Sequence, residues 1–246
     1  MTPTPRLDDV FTTPQSKRRY VRQLFATIAD RYDLITRVLS YGQDARWKAT
    51  LVSMAQVRAG ERALDLACGT GDIAFAVAAR GARAVGLDIT HRMLQLARLR
   101  PGSGGSSSQA PVEFISGDMT SLPFRSSSFD LVTTGYGLRN VPDLDAAIDE
   151  IARVLRPGGR LLSLDFNRPE SAVIRAAYLA YLTGVGASLG WLLHRDPDTY
   201  RYIPASIRRY PGAGGVADRM NSRGFTRVRI VPLLFGLMTL HVAERA

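Results

Sequence analysis

The chain has 246 residues, of which 46% are hydrophobic, and a formal net charge of +10. This length suffices for one α/β domain with its own core, so we expect a single domain over 1–246. Cys68 is the only cysteine, which excludes an internal disulfide and a multi-cysteine metal site, and we expect no metal. The N-terminus has no signal-peptide pattern, which predicts a cytoplasmic protein.

The positive charge comes almost entirely from arginine, because Lys17 and Lys48 are the only lysines. Such an excess is compatible with a nucleic-acid partner, an anionic membrane surface, or a composition bias without functional meaning. Since the arginines are scattered along the chain rather than clustered, we expect no nucleic-acid partner.

The first elements in chain order are helical. Apolar residues recur at spacings of three and four over 17–30 and again over 44–57, so we assign 17–57 to N-terminal helices. From Glu61 onward five short apolar runs follow, with helices predicted between them over 72–80, 91–99 and 144–155; the runs are RALDLA, RAVGLDI, VEFISGD, FDLVTTGY and GRLLSLDF. This alternation predicts a parallel sheet covered on both faces. PGSGGSSSQAP, residues 101–111, is predicted to be a flexible loop without function.

The pattern changes near the C-terminus. RVRIVPLL and LMTLHVAER are separated by a Phe-Gly connection, which predicts a hairpin and hence a seven-stranded, mostly parallel sheet with one antiparallel strand. Before it, residues 167–223 form a helical insertion, a candidate substrate lid. Within that insertion, 173–193 has about the length of a membrane span, but Arg175 and three glycines favour a buried or interfacial helix pair.

The stretch LDLACGTGD, residues 64–72, places Gly69 and Gly71 in a tight loop after the first predicted strand. Such a loop at the carboxyl edge of a parallel sheet is typical of a nucleotide-type cofactor, although a dinucleotide motif would contain a third glycine. Asp72 would lie at the N-terminus of the next helix, where its carboxylate would repel a pyrophosphate. A nucleoside with a phosphate-free cationic tail avoids that conflict, so we expect S-adenosylmethionine and regard NAD as the weaker alternative.

Acidic residues end three successive predicted strands, at Asp65, Asp88 and Asp118. Asp65 can accept a hydrogen bond from the ammonium group of S-adenosylmethionine, and Asp88 suits the ribose hydroxyls. Asp118 can accept from the adenine amino group, with Met119 beside the ring. The alternative is that these aspartates only form turns or cap helices, as aspartates at strand ends also do.

Four blocks of the sequence are similar to one known family, and they follow one another as ADRYDLITRVLSYGQDARWK, LDLACGTGD, LPFRSSSFDLVTTGYGLRNVPDLDAAIDEIARVLRPGG and YRYIPASI. They resemble the C-methyltransferases of menaquinone and ubiquinone biosynthesis, from about Val21 to the C-terminus. YGLRNV and YRYIPASI are the most specific parts. The resemblance implies a class I methyltransferase (Rossmann-like) fold and S-adenosylmethionine-dependent C-methylation of demethylmenaquinol or a polyprenyl-methoxybenzoquinol.

The resemblance also implies cofactor contacts at Thr70, Asp88, Asp118 and Met119. Gly135 stands where the family often has serine, so that side-chain contact is missing here.

For catalysis, we expect Arg139 to stabilise a developing phenolate, with Asn140 orienting it. The alternative is that Asn140 and Asp143 form a turn that caps the following helix. Three tyrosines are candidates to line the quinol pocket, or else to pack in the core: Tyr32, Tyr200 and Tyr202.

A polyprenyl tail cannot remain in water, so we expect the substrate to be loaded at the membrane. The apolar stretch 173–193 and the arginine-rich surface suit peripheral contact with anionic lipid on the inner face of the cytoplasmic membrane. The oligomeric state is not determined by the sequence, and a homodimer is compatible with it. Two alternative functions are a methyltransferase for another phenolic or lipid small molecule and a basic RNA-binding module.

Overall fold

The structure, a computed structural model, describes residues 7–100, 111–195 and 199–246. Within these residues seven strands form one sheet in the order β3-β2-β1-β4-β5-β7-β6. The strands are β1 Arg62–Leu66, β2 Arg83–Asp88, β3 Glu113–Ser116, β4 Phe129–Gly135, β5 Leu155–Phe166, β6 Phe225–Leu233 and β7 Met238–Arg245. Only the pairs that include β7 are antiparallel. The predicted sheet is therefore confirmed, while the predicted Gly/Ser loop lies, except for Pro111, outside the described residues.

The described helices flank this sheet and cover its carboxyl edge. They are α1 Leu7–Val10, α2 Pro14–Ile28, α3 Tyr32–Leu39, α4 Asp44–Met54, α5 Asp72–Ala78, α6 His91–Leu99, α7 Leu144–Val154, α8 Ala172–His194, α9 Tyr202–Arg209 and α10 Gly212–Ser222. The predicted helices are confirmed to within a few residues at their ends. Helix α3 lies between the two predicted N-terminal helices and was not distinguished from them in the sequence.

Apolar side chains cover both faces of the sheet. In β4, Leu131 packs into a cluster with α4, α5 and α6, whereas its neighbour Val132 packs into a second cluster with α7 and α10. Successive strand residues point to opposite faces, so a strand that is buried on both sides reads as a continuous apolar run. This arrangement explains why the central strands could be located from sequence.

The C-terminal hairpin is confirmed. Strands β6 and β7 are joined by the 3₁₀ turn Leu234–Gly236, and β7 lies between β5 and β6. Phe235 in this turn has a φ of +55° and its side chain is fully exposed.

The expected helix pair over 173–193 is wrong, because Ala172–His194 is one continuous helix. Glycine lowers helix stability by only about 1 kcal/mol, and the segment contains no proline to break it. Ala172–Leu193 is long and apolar enough to cross a membrane, with a mean hydropathy of 1.3 over its most apolar stretch. Within the protein, 28% of that stretch is buried. Its inner face packs against α9, where Tyr178 and Leu182 meet Ile207.

Candidate active site

The loop after β1 has a backbone that requires glycine. Gly69 and Gly71 have φ values of +55° and +89°, in the left-handed region. A Cβ atom at Gly71 would lie 2.8 Å from the Phe75 ring and 2.9 Å from the Phe114 ring. Both the conformation and the close packing therefore oppose a larger side chain at Gly71.

A cleft beside this loop contains four of the seven predicted cofactor residues, namely Gly69, Asp88, Asp118 and Met119. Asp88 accepts hydrogen bonds from the backbone N–H groups of Gly69 (2.9 Å) and Thr90 (2.7 Å). Burial raises the pKa of Asp88, although these backbone bonds oppose the shift. The carboxyl ends of β2 and β3 thus present two acidic side chains to one cleft.

Asp118 is held by two groups from different parts of the chain. Its Oδ1 accepts from the backbone N–H of Thr120 at 2.9 Å, and its Oδ2 pairs with Arg18 Nε of α2 at 2.8 Å. Arg18 also lines the cleft, so the N-terminal helix closes one side of it.

The other three predicted cofactor residues lie behind the cleft wall. Asp65 is buried; its Oδ1 accepts from Thr133 Oγ1 at 2.8 Å, and its Oδ2 has no hydrogen-bond partner among the described residues. Burial raises the pKa of Asp65 to about 7. Thr70 Oγ1 donates to Asp33 at 3.0 Å rather than facing the cleft, and Gly71 shapes the loop. A buried carboxylate oxygen without a partner fits a nearby ammonium group.

Two cations neutralise the carboxylate of Asp72. Asp72 begins α5 as predicted, but Lys48 Nζ lies 2.8 Å from its Oδ2 and Arg100 pairs with its Oδ1. Burial would raise the pKa of Asp72, yet Lys48 and Arg100 outweigh it and lower the pKa. Because two cations compensate its charge, Asp72 by itself is a weak argument against a phosphate.

A second, larger cavity adjoins the cleft, with a volume of about 440 Å³. It lies between α2, α3 and α8, and its walls are mostly aliphatic and aromatic. All three predicted pocket tyrosines line it: Tyr32, Tyr200 and Tyr202. We call this cavity the apolar chamber.

The cleft and the apolar chamber share a wall. Four residues line both spaces: Phe25, Tyr32, Tyr136 and Asn140. A group bound in the cleft and a group bound in the chamber would therefore meet at these side chains. This geometry is what a transfer reaction between two bound molecules requires.

Arg139 lines the chamber and is held rigidly by residues distant in sequence. Its Nε donates to Asp165 Oδ1 at 3.3 Å, its backbone N–H donates to Asp165 Oδ2 at 3.0 Å, and its Nη1 donates to Ser206 Oγ. The guanidinium also lies 5.1 Å from the centre of the Phe166 ring. Among the described residues Nη2 makes no such bond.

The expected orienting contact from Asn140 to Arg139 is not formed. Asn140 Nδ2 instead donates to the Tyr136 carbonyl at 2.7 Å, and Asn140 Oδ1 has no partner among the described residues. Asp143 alone caps α7, accepting from Ala146 N–H at 3.0 Å. Both residues therefore make turn bonds, since the Asn140 backbone N–H also donates to the Gly137 carbonyl at 2.9 Å, but only Asp143 caps the helix. Asn140 in addition lines both cavities.

Gly135 borders the cleft at the end of β4. A Cβ atom there would lie 2.9 Å from Ile73 Cδ1. A serine, as is frequent in the resembling family, would therefore require Ile73 to move.

Two lysines near this site were not predicted from the sequence to belong to it. Lys48 pairs with Asp72, and Lys17 Nζ donates to the Arg139 carbonyl at 3.2 Å and to the Val141 carbonyl. Burial and the Arg139 charge lower the pKa of Lys17 to about 8. The composition held a signal, because these two residues are the only lysines of an arginine-rich chain.

Comparison with known proteins agrees with this architecture. Among solved structures, a SAM-dependent methyltransferase from Thermotoga maritima, described as a possible histamine N-methyltransferase, has a TM-score of 0.66 at 18% identity and covers 92% of this chain and 100% of its own. Another from Mesorhizobium loti has a TM-score of 0.58 at 18% identity, covering 82% and 98%. The fold is that of the SAM-dependent methyltransferases.

Sequence comparison is more specific. The chain belongs to the ubiE/COQ5 methyltransferase family, whose model matches residues 13–245. It is 39% identical to the demethylmenaquinone methyltransferase of Thermus thermophilus, over 90% of this chain and 100% of that protein. It is 38% identical to the ubiquinone/menaquinone biosynthesis C-methyltransferase UbiE of Pseudomonas putida, over 93% and 90%. The predicted methyltransferase and its cofactor, S-adenosylmethionine, are confirmed over the NAD-dependent and RNA-binding alternatives.

Proposed function

We propose that the protein methylates a ring carbon of a prenylated quinol, converting demethylmenaquinol to menaquinol, acting on the corresponding benzoquinol of ubiquinone biosynthesis, or both. The observation that carries this proposal is the pair of joined cavities, a polar cleft opening onto an apolar chamber with one buried guanidinium. A prenylated ring needs an apolar space with a few placed polar groups. The names of the relatives support the same substrate class.

The residues of the cleft suit S-adenosylmethionine, which supplies an electrophilic methyl group when bound. Asp88 would hold the ribose hydroxyls, and Asp118 would accept from the adenine amino group. Asp65, whose Oδ2 has no partner among the described residues, would offer its negative charge to the ammonium group. Burial strengthens that attraction because the effective dielectric constant is low there.

Arg139 would stabilise the negative charge that develops on the quinol oxygen. A ring carbon becomes nucleophilic when a neighbouring hydroxyl loses its proton, so stabilising the phenolate favours C-methylation. Asp165 and Ser206 fix the guanidinium before the substrate binds, which avoids reorganisation during the reaction. The apolar walls exclude water and strengthen this interaction.

A prenyl tail cannot remain in water, so the substrate would enter the chamber from lipid. We therefore propose that the chamber opens towards the membrane surface and that the protein is cytoplasmic and peripherally bound. Val173 and Ile174 of α8 line the chamber and are 79% and 53% exposed. The fully exposed Phe235 lies between Leu234 and Leu237, which also line it. Exposed apolar side chains around a lipid-binding cavity are typical of interfacial contact.

The substrate class is tested in cells that lack this gene. Quinones are extracted and analysed by mass spectrometry after restoring the wild type, Arg139→Ala, or the control Arg156→Ala, whose side chain is 53% exposed. We expect a quinone one methyl group lighter in the deletion, corrected by the wild type and by the control but not by Arg139→Ala. An unchanged quinone profile in the deletion would contradict the proposal.

Membrane contact is tested by flotation with vesicles that contain anionic phospholipid. We expect the wild type to float at moderate salt. A double variant, Phe235→Ser with Trp191→Ser, should float less, because it loses an exposed aromatic side chain from the 3₁₀ turn and one from α8. Equal flotation of both proteins, or none of the wild type, would count against this surface.

A further inference from the structure

The quinol hydroxyl must lose a proton before its ring carbon can attack, and Arg139, a permanent cation, does not accept one. The acceptor must lie where the two bound molecules would meet, at the shared wall of the cleft and the apolar chamber. Of its four residues, Phe25 and Asn140 do not titrate in the physiological range. Tyr32 and Tyr136 carry hydroxyls, and Tyr136 is the one whose hydroxyl is bonded to a carboxylate among the described residues.

Tyr136 Oη donates to Asp44 Oδ1 at 2.6 Å, in a partly buried position at the start of α4. On its other side, Asp44 Oδ2 lies 2.6 Å from Lys48 Nζ. Lys48 in turn pairs with Asp72, which is partly exposed and also pairs with Arg100. A continuous polar chain therefore runs from the wall of the chamber to the protein surface.

The backbone at Tyr136 is strained. Its φ is +62°, in the left-handed region that bulky side chains rarely adopt. The flanking Gly137 cannot carry a side chain, because a Cβ atom there would lie 2.3 Å from Thr134 Oγ1. Such outliers cost about 1–3 kcal/mol and are concentrated at functional sites. The strain turns the phenol ring into the wall that the two cavities share.

We infer that Tyr136 is a catalytic residue that passes the quinol hydroxyl proton to Asp44, which lies behind it and acts as the proton acceptor. The inference rests on the proposed function, whose proton acceptor it identifies. Asp44 acts through Tyr136, and Lys48 positions Asp44 and compensates its charge.

The transfer is balanced as follows. The O–H bond of the quinol breaks and its proton joins Tyr136 Oη, while the proton of Tyr136 moves to Asp44 Oδ1. The electron pair left on the ring oxygen makes the ring carbon nucleophilic, and a C–C bond forms to the methyl group as its bond to sulfur breaks. Loss of the ring C–H proton to water then restores the aromatic ring and leaves its oxygen anionic. Asp44 returns its proton through Tyr136 to that oxygen, which regenerates the carboxylate and completes the methylated quinol.

The chemistry of Tyr136 agrees with a relay rather than a free base. Burial, together with Asp44, raises the pKa of Tyr136 well above its ordinary value. Its hydroxyl therefore keeps a proton at neutral pH and can accept one only while releasing another to Asp44. The bond to Asp44, together with a bond from the quinol hydroxyl, would permit that exchange without an unpaired charge on the tyrosine.

The experiment compares purified wild type, Tyr136→Phe and Asp44→Asn on demethylmenaquinol in detergent micelles under reducing conditions. Tyr210→Phe is the matched control, since Tyr210 is a buried tyrosine that lines neither the chamber nor the cleft. We expect kcat to fall about 100-fold in both relay variants, with KM for both substrates and Kd for S-adenosylhomocysteine within about twofold of the wild type. The kcat of the variants should rise more steeply with pH, since their quinol must lose its proton to the solvent.

A second readout does not depend on turnover. In the complex with S-adenosylhomocysteine, a pH titration of the phenolate absorbance gives the pKa of the bound quinol. We expect this pKa to be at least about one unit higher in Tyr136→Phe than in the wild type. An active wild type whose relay variants keep its kcat, pH profile and quinol pKa would overturn the relay alone. A wild type inactive on any prenylated quinol would overturn the proposed function, and the relay with it.

Discussion

Replacing Asp165 by asparagine tests the buried charge pair beneath the apolar chamber. The Asp165 side chain is 1% exposed and that of Arg139 is 4% exposed. Asp165 Oδ1 accepts from Arg139 Nε and from the Phe166 backbone N–H, and Oδ2 accepts from the Arg139 backbone N–H. Asparagine has the same shape but no charge, and only its oxygen can accept. At least one of these N–H groups would then face the asparagine NH2 group, which is itself a donor. The buried guanidinium of Arg139 would also lose its counter-charge.

Removing one partner of a buried pair costs about 3–5 kcal/mol, because the remaining charge stays buried and uncompensated. We therefore expect Asp165→Asn to lower the free energy of unfolding by about that amount, measured by urea denaturation with an unchanged m value. Asp30→Asn is the matched control. Asp30 pairs with Arg92, but their side chains are 60% and 43% exposed, and such pairs contribute about 0–1 kcal/mol. Equal losses in the two variants would refute the reasoning.

Three further outcomes are expected. Asp88→Ala should raise the Kd for S-adenosylmethionine about 10- to 100-fold in calorimetric titration. Asp130→Asn, in β4 beside the amino end of β1, should leave it unchanged; equal effects would contradict the ribose assignment. Asp65 has a pKa raised to about 7, so its contribution to stability is complete below about pH 4 and is lost as the pH rises through 7. The unfolding free energy of the ligand-free wild type should thus fall by up to about 4 kcal/mol relative to Asp65→Asn over that range; parallel pH curves would contradict it. Gly71→Ala should lower the melting temperature and weaken cofactor binding, since its φ and the two phenylalanine rings oppose a methyl group; an unchanged melting temperature would show that the loop can adapt.

The sheet and its cofactor edge could be predicted because their signals are local. Each central strand is a short apolar run, and the residues that face the cleft follow directly where a strand ends, as at Asp88 and Asp118. Parallel strands bring those ends to one edge, so chain order was enough to bring the acidic side chains together. The C-terminal hairpin was also marked by a local signal, the Phe-Gly connection between two strand-like runs.

The substrate side could not be predicted in the same way, since its contacts join distant parts of the chain. Arg139 is held by Asp165 and Ser206, which lie 26 and 67 positions away, and Tyr136 meets Asp44 across 92 positions. No local pattern marks such pairs. The continuity of α8 was missed for a different reason, because three glycines weaken a helix without ending it when its apolar face is packed.

The most direct test of the account is the product formed by the purified protein. Wild type is incubated with isotopically methyl-labelled S-adenosylmethionine and demethylmenaquinol under reducing conditions, and the product is analysed by mass spectrometry and NMR. The account predicts a product that carries the labelled methyl group on a ring carbon. A label on the ring oxygen, or no transfer to this quinol or to the benzoquinol analogue, would contradict it.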